Sequence, residues 1–350
     1  MFTPHALAPD PAALDRLCRI LTSRSPETER VGPWQSGCFE VLAEDGCLAG
    51  FLPLDVGGTA ASEPARLTAL AAIAEACLTT ALALSQWAAA CRIIDGGDAT
   101  TRLVWLPPLA RGAAFTTVGI SQLTTSRRHL GKAAITAEET TAGWRLDGEC
   151  PWVTGADSVD TIVTGATTAD GRPRFFVVET AADGLTVEPP LAMLALSGSR
   201  TSAVRCAGVQ PAAVIVPAAG DGARTGGLAT TALAVGATRA SVAIVAEEAE
   251  RRGELEPIAE QLTADAEDLA DRLDEAACAE VQQQDRDRLR ADANSLVVRA
   301  AQAAVMACKG AGFVQGHPAE RLVRESLFFL VWSCPQAVTQ AVMCELADIP

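Results

Sequence analysis

Residues 145–166, RLDGECPWVTGADSVDTIVTGA, decide how the chain is organised, because they place an indole between two polar turns. A short strand pattern ends at a glycine turn, Trp152 follows, and Thr154 opens the polar segment that leads into the apolar run 161–163. Large aromatic side chains usually fill a core, but an aromatic face also suits a flat π-system. Trp152 therefore either plugs a β-sheet core or forms a wall for a planar ligand.

Helical sequence flanks this segment on both sides. Between 114 and 217, apolar and polar residues alternate and Gly or Asp-Gly turns recur, which predicts a small β-barrel or sandwich. Seven candidate strands lie there, at 114–120, 133–139, 143–149, 160–167, 174–180, 185–190 and 202–209. Elsewhere apolar residues recur at helical spacing. We predict an α+β multi-domain protein with an N-terminal helical domain (1–113), a middle β domain (114–217) and a C-terminal four-helix bundle (228–350).

Prolines and capping residues mark the expected helix ends. A long helix should follow the cap at Ser62, and a short helix near residue 100 should be stopped by Pro107, Pro108 and Gly112. One acidic helix should span about 257–292, and the next should begin at Ser295.

The composition excludes several classes of function. The 350 residues carry a formal net charge of −15, so we expect no binding to nucleic acid or to a membrane surface. The 11 Cys are odd in number, irregularly spaced and without a C-x-x-C, and the three His lie far apart. We therefore expect neither a disulfide framework nor a metal site, but buried reduced thiols in a cytoplasmic protein. The first residues lack the basic and apolar regions of a secretory signal.

Four motifs follow one another along nearly the whole chain. They are LAEDGCLAGFLPLDVGG (42–58), GWRLDGECPWVTGADSVDTIVTGA (143–166), LALSGSRTSAVRCAGVQ (194–210) and KGAGFVQGHPAERLVRES (309–326). In this order, and on this helix–sheet–helix pattern, they resemble the signature segments of the acyl-CoA dehydrogenase superfamily. Its members are flavoproteins with an N-terminal helical domain, a middle β domain and a C-terminal four-helix bundle. The resemblance implies that fold, with FAD as the cofactor.

The resemblance also implies a role for the indole. In the superfamily the Trp and Thr of a Trp-x-Thr motif lie beside the flavin ring, and donors near the ring tune its electronics. By this likeness Trp152 would cover one face of the ring, Thr154 would contact its polar edge, and the backbone of Val153 would lie between them. Ser121 takes the place of a Thr that touches the cofactor, and Ser126 roughly matches a later Ser of the same loop. The resemblance thus favours contact between Trp152 and a flavin over packing of Trp152 in a β-sheet core.

A basic cluster in that loop departs from the superfamily pattern. It consists of Arg127, Arg128, His129 and Lys132, within an otherwise acidic chain. Arg and Lys hold phosphate well, so the cluster either meets the pyrophosphate of FAD or the phosphates of coenzyme A, or is a solvated loop that balances nearby acids.

Residues of the C-terminal bundle match positions that approach FAD from a neighbouring subunit. Arg251 matches an Arg that binds the adenine end of FAD. Gly310 and Gly312 match a glycine-rich turn, for which a plain helix C-cap is the alternative. The resemblance therefore implies a homodimer or homotetramer. It implies structural ion pairs for Glu320, Arg321 and Arg324.

The base that would remove the α-proton of a substrate is missing from its usual places. Most members use a Glu at the position that Ser333 occupies, and a few use a Glu where this chain has Gly226 or a neighbour. A serine hydroxyl is too weakly basic to act unaided. Cys334 would act only as a thiolate, which needs a nearby cation, and the sequence places none beside it. Glu325 matches a structural acid, so the catalytic residue stays unassigned.

These observations favour an FAD-dependent oxidoreductase that acts on an acyl thioester, carried by coenzyme A or by a carrier protein. The α-proton would leave to a displaced base, the β-hydrogen would leave as hydride, and an electron-transfer partner would reoxidise the cofactor. One alternative is a flavin-dependent, monooxygenase-like relative, which needs no Glu at that site. The other is a non-catalytic scaffold that has lost the base.

Overall fold

The computed structural model describes residues 11–124, 134–216, 227–279, 282–332 and 334–347. Helices come first, then a β-sheet, then helices again, which confirms the predicted order and fold class. The last helix before the first strand ends at Ala110, and that strand begins at Thr116. The last strand ends at Ile215, and the next long helix begins at Leu228.

Six helices form the N-terminal part. They are α1 (Pro11–Val31), α2 (Cys38–Glu44), α3 (Cys47–Gly50), α4 (Glu63–Ala76), α5 (Leu78–Asp95) and α6 (Ala99–Ala110). The cap at Ser62 is confirmed, because its hydroxyl accepts a hydrogen bond from the backbone N–H of Ala65. The expected long helix is divided at Cys77, whose backbone is extended.

The predicted stop at Gly112 is confirmed, because α6 ends at Ala110, but Pro107 and Pro108 do not stop the helix, which continues through both. A proline removes the donor to the carbonyl four residues earlier. Those carbonyls belong to Leu103 and Val104, whose side chains are exposed, so water can reach this face of the helix. Two prolines in the last turn of α6 therefore destabilise the helix only a little.

The middle part is one mixed eight-stranded sheet. Its strands are β1 (Thr116–Gly119), β2 (Ile135–Thr140), β3 (Gly143–Val153), β4 (Thr161–Thr168), β5 (Pro173–Glu179), β6 (Leu185–Val187), β7 (Ser202–Val209) and β8 (Ala213–Ile215), with the short helix α7 (Ser121–Thr124) after β1. The order is β6-β7-β3-β2-β4-β5-β8, and β1 pairs in parallel with β4. All seven predicted strands are present, whereas β8 was not predicted.

The sheet curves around an apolar interior that is almost completely filled. Side chains from β2 to β7, among them Cys150, Val153 and Cys206, line a cavity of about 10 Å³. A space of that size holds no more than one water molecule. This cavity is therefore too small to hold a ligand of the β domain.

The C-terminal part contains three long helices and two short ones. They are α8 (Leu228–Arg251), α9 (Glu256–Cys278), α10 (Gln283–Cys308), α11 (Pro318–Ser326) and α12 (Gln336–Leu346). The prediction of one helix over 257–292 is wrong. Ala279 has extended backbone and ends α9, and α10 begins at Gln283 rather than at Ser295.

Close backbone packing joins the N-terminal helices to the bundle. Gly236 of α8 lies against α4, where a Cβ would stand 2.1 Å from the carbonyl oxygen of Ala71. Only glycine allows this approach. The stretches Leu228–Arg251 and Gln283–Phe313 are long and apolar enough to cross a membrane by length and composition, but α8 is mostly buried inside the protein.

Candidate functional site

Trp152 is half exposed at the end of β3. Its relative exposure is 49%, whereas Val153 beside it is 0% exposed and Thr154 is 8% exposed. The indole therefore does not plug the core of the sheet, and Val153 takes that role with an inward side chain. The indole thus lies at the protein surface, next to the buried residues Val153 and Thr154.

The end of β1 lies directly against this part of β3. A Cβ on Gly119 would stand 3.0 Å from Cγ2 of Val153, so glycine permits the contact. Two residues later, the hydroxyl of Ser121 lies 3.5 Å from the sulfur of Cys150. The structure thus brings together Ser121 and the Trp152–Thr154 segment, which the sequence separates by about thirty residues.

A chain of buried hydroxyl groups supports Thr154 from behind. Its Oγ1 lies 3.3 Å from Oγ1 of Thr201, which lies 2.8 Å from Oγ of Ser199. The backbone N–H of Gly155 donates to the carbonyl of Ser199 at 2.9 Å. Such a connected set of hydrogen bonds holds a polar turn in one geometry.

An aromatic pair from the N-terminal part completes the packing of this turn. A Cβ on Gly155, whose φ is +65°, would stand 2.0 Å from the indole ring of Trp34. Trp34 stacks on Phe39 with ring centroids 4.9 Å apart. The Nε1 of Trp34 is buried and has no hydrogen-bond acceptor among the described residues. Sequence analysis did not identify Trp34, because its contact with residue 155 is long-range.

The loop that carries Ser199 contains two strained residues. Leu196 and Arg200 have positive φ values of 59° and 49°, which side chains other than glycine adopt at a cost. The guanidinium of Arg200 forms hydrogen bonds to both carboxylate oxygens of Asp157, one of them 2.9 Å long. Burial raises the pKa of Asp157, but hydrogen bonds from Arg200 and Ser158 outweigh it and hold that pKa below its ordinary value. The ion pair fixes a strained loop beside the Thr154 turn.

Helix α11 ties this loop to α1. Gly198 packs against α1, since a Cβ there would stand 2.0 Å from the carbonyl oxygen of Thr28. The next residue of α1, Glu29, pairs with Arg324 of α11 at 3.0 Å. Arg324 also pairs with Glu320 at 2.5 Å and donates to the carbonyl of Leu194 at 3.1 Å. The implied ion pair of Glu320 and Arg324 is thus present, and it braces the loop from outside.

One carboxyl of this junction is fully buried. Glu325 is 3% exposed, and its Oε1 lies 3.9 Å from Nε of Arg321. Burial raises the pKa of Glu325 to about 7, although the charge of Arg321 opposes the rise. Arg321 in turn donates to the hydroxyl of Ser25 in α1 at 2.7 Å. Glu325 therefore lies among structural ion pairs.

A second group of predicted residues meets at one end of the bundle. Arg251 ends α8 and pairs with Glu247 at 2.7 Å and with Glu248 at 2.9 Å. The neighbouring Arg252 donates to the carbonyl of Ala307, close to the end of α10. The turn after α10 carries Gly310, where a Cβ would meet nothing within 4 Å, and the buried Gly312. A side chain at the first of these glycines would face open space.

Several predicted residues lie outside the described ranges. These are Ser126, Ser333, Gly226 and the basic cluster Arg127, Arg128, His129 and Lys132. All eleven cysteines are free. Within residues 11–124, 134–216, 227–279, 282–332 and 334–347, no three His, Cys, Asp or Glu side chains are grouped so as to hold a metal ion.

Comparison with known proteins identifies the fold. No family model matches the sequence, and no curated protein matches it. Among solved structures, a glutaryl-coenzyme A dehydrogenase in complex with glutaryl-CoA matches with a TM-score of 0.84 and 17% identity over 100% of this chain and 97% of the other. An acyl-CoA dehydrogenase from Bacillus anthracis complexed with FAD matches with a TM-score of 0.80 and 14% identity over 99% and 68%. The chain has the fold of the acyl-CoA dehydrogenases.

A third structure with this fold has a different ligand. KijD3, in complex with FMN and a dTDP-linked amino-keto sugar, matches with a TM-score of 0.73 and 22% identity over 100% of this chain and 95% of the other. The fold thus carries ligands of two kinds among its known members, acyl thioesters and nucleotide sugars.

The residues around Trp152 fit a flavin. An exposed indole face suits a tricyclic ring, and the adjacent turn is held by the hydrogen bonds of Thr154, Thr201 and Ser199.

Proposed function

We propose that the protein is an FAD-dependent oxidoreductase of the acyl-CoA dehydrogenase type, which oxidises a CH–CH bond of an acyl thioester. The observation that carries the proposal is the half-exposed indole of Trp152 at the end of β3, next to Thr154, whose hydroxyl is held by the buried hydroxyl of Thr201. Two proteins of the same fold support it, because one binds glutaryl-CoA and another binds FAD.

The residues near the turn would hold the cofactor. Trp152 would cover one face of the flavin, while Thr154 and the backbone of Val153 would face its polar edge. Ser121 and Ser126 would contact the same ligand from the loop after β1. FAD, when bound, would accept the hydride that leaves the β-carbon. The turn itself supplies a fixed surface, so that the ring is oriented without reorganisation of the protein.

A neighbouring subunit would complete the cofactor site. Arg251 ends α8, and its neighbour Arg252 donates to the carbonyl of Ala307, three residues before Gly310. We propose that this end meets the FAD of another copy, in a homodimer or homotetramer. Light scattering of the purified protein tests the assembly, and a monomer that retains FAD would refute it.

Substrate and location follow from the same proposal. The acyl thioester is carried by coenzyme A or a carrier protein, an electron-transfer partner reoxidises the flavin, and the protein is cytoplasmic, without nucleic-acid or membrane partners. The base stays unassigned, since Ser333 occupies its usual position.

A flavin-dependent, monooxygenase-like activity is the second candidate, and one observation favours it. Both usual base positions lack an acid, at Ser333 and at Gly226 or its neighbours. KijD3 has this fold and binds FMN with a sugar nucleotide rather than a thioester. An oxygen-dependent reaction would need no α-proton acceptor at those positions. A non-catalytic scaffold would lack both reactions.

The decisive experiment is to release and identify the cofactor of the native protein. FAD in the supernatant after heat denaturation supports the main proposal, whereas a colourless protein that binds neither FAD nor FMN refutes it. Trp152→Leu should lower flavin retention at least tenfold, on the order of the loss of one aromatic contact. Trp144→Leu, which removes a tryptophan from the same strand where it packs beside Phe176 and Arg174, should leave retention unchanged.

The substrate class is tested with the flavin-loaded protein. Anaerobic bleaching of the flavin by a series of acyl-CoA thioesters supports dehydrogenation. Flavin that no thioester bleaches, but that is reduced by a nicotinamide and reoxidised by oxygen with a hydroxylated product, supports the second candidate.

A further inference from the structure

One buried side chain, that of Gln122, fills a gap in the strand pairing of β4. Strand β5 pairs along one edge of β4, while β1 and β2 share the other edge. On that second edge β1 pairs with residues 161–164 and β2 pairs with residues 167–168, so that residues 165–166 lie between the two ladders. The Nε2 of Gln122 donates to the carbonyl of Gly165 at 2.8 Å. A side-chain amide thus takes the place of a strand partner.

The same amide nitrogen also holds the end of β1. It donates to the carbonyl of Gly119, the last residue of β1, at 3.3 Å, and this carbonyl accepts a second hydrogen bond from Oγ1 of Thr164 at 2.8 Å. Gln122 is 6% exposed, and its Oε1 has no hydrogen-bond donor in the part of the chain that the structure describes. Within that part the side chain is held through its nitrogen, and both partners of the nitrogen are acceptors. The position therefore requires a donor.

The next residue, Leu123, fixes the same turn by packing. A Cβ on Gly165 would stand 2.2 Å from Cδ1 of Leu123, so the leucine lies directly on the backbone of β4. The backbone N–H of Leu123 donates to the carbonyl of Ile120 at 2.9 Å and closes the turn that begins α7. Ser121 lies inside this turn, and its hydroxyl is 3.5 Å from the sulfur of Cys150. The turn and the serine that it carries are thus anchored to β4.

We propose that Gln122 is a positioning residue for the cofactor, whose amide fixes the turn that places Ser121 near Trp152. This inference rests on the flavin site of the proposed function. Ser121 meets Cys150, and the thiol of Cys150 donates to the carbonyl of Trp152 at 3.8 Å. A turn that moved away from β4 would carry Ser121 with it and change the geometry of the cofactor contacts. Gln122 acts through Ser121 and sets the affinity for the flavin.

The chemistry of this position distinguishes an amide from a carboxyl group of the same size. A protonated carboxyl group has one O–H donor, whereas an ionised carboxyl group has none. In Gln122→Glu an ionised side chain would face the carbonyl oxygens of Gly119 and Gly165 in a buried place, where unpaired acceptors are unfavourable. The protonated side chain would donate to one of these carbonyls. The substitution therefore makes the anchoring of the turn depend on pH.

The test is the pH dependence of FAD affinity, measured by titrating the flavin-free protein with FAD and following the flavin fluorescence. At pH ~5.5 the affinity of Gln122→Glu should lie within about threefold of the native value, and at pH ~8 it should fall on the order of tenfold below it. Gln340→Glu makes the same change of charge at an exposed position of α12 and should follow the native protein at both pH values. If the affinity of Gln122→Glu relative to the native protein is the same at both pH values, the proposal is overturned.

A second substitution covers the case in which Gln122→Glu does not fold. Gln122→Met keeps the length of the side chain but has no donor, so it should lower the FAD affinity on the order of tenfold at both pH values. Native affinity in Gln122→Met overturns the proposal. A purely structural role would lower the urea midpoint of the variants without changing the FAD affinity of the folded protein. A change in the midpoint alone therefore also overturns it.

Hydrogen exchange of the native protein gives a readout that needs no variant. In the flavin-free protein the N–H of Leu123 should exchange slowly, because the turn that Gln122 anchors is already formed. Exchange at the rate of an unstructured peptide overturns the proposal. A native protein that binds neither FAD nor FMN refutes the proposed function, whereas native binding with unaffected Gln122 variants refutes only the role of Gln122.

Discussion

The buried carboxyl of Glu325 should make the stability of the protein depend on pH. Its side chain is 3% exposed and lies 3.9 Å from Arg321, within the junction of α11 and α1. Burial raises its pKa from 4.5 to about 7, and the negative charges of Glu29 and Glu320 add to the rise, against the opposing charges of Arg321 and Arg324. The folded protein therefore holds the proton of Glu325 more tightly than the unfolded chain does.

The sign and size of the effect follow from linkage. Between the unfolded and folded pKa values the folded state binds more protons, so the free energy of unfolding falls as pH rises. The contribution is fully present below pH 4.5 and is lost as pH passes through about 7. With these two values, the loss between pH ~5 and ~8 is about 2.5 kcal/mol.

The assay is urea denaturation of the native protein and of Glu325→Gln at several values between pH ~5 and ~8, above the sequence pI of 4.7. Glutamine cannot ionise, so the variant should gain on the native protein by about 2.5 kcal/mol over this range. Glu260→Gln, at an exposed position of α9, reports the effect of net charge alone. The reasoning would be refuted if the stability of Glu325→Gln relative to the native protein stayed constant, or decreased, as pH rises.

Three further substitutions test the packing around the candidate site. Gly155→Ala would drive a Cβ into Trp34 and should cost about 2 kcal/mol more in urea denaturation than Gly171→Ala, which has a similar φ and open space; equal costs contradict the contact. Arg324→Gln leaves Glu29 and Glu320 unpaired and should lower the free energy of unfolding by about 1–2 kcal/mol in the same assay. An unchanged free energy of unfolding would contradict this prediction. Phe176→Ala empties a fully buried site and should lower stability by about 3–5 kcal/mol, and a loss below 1 kcal/mol would argue against this core.

The order of helices and strands could be predicted because its signals are local. Alternating apolar residues between glycine turns marked seven strands, and the sheet contains all of them. The errors are of two kinds: a helix can end without a Gly or Pro, and a helix can continue through a Pro. Cys77 and Ala279 interrupt helical sequence through backbone geometry alone, and Pro107 is tolerated in the last turn of an exposed helix.

The candidate site was only partly predictable from the sequence. In the sequence, Trp152 stands out as an isolated aromatic residue between turns. Its exposure in the structure excludes the interpretation that it fills the core of the sheet. The residues that shape the turn are not visible, because Trp34 meets Gly155 only after domains have packed. Likewise 40 positions separate Asn294 from Cys334 in the sequence, yet α10 brings the Nδ2 of Asn294 within 3.8 Å of the sulfur.

The pair formed by Arg324 and Glu29 spans 295 positions of the chain. While the ribosome is still making the last helices, α1 and the strained loop beside Thr154 are already outside but lack the contacts that Arg324 adds. The loop beside Thr154 therefore gains its last contacts only when synthesis is nearly finished.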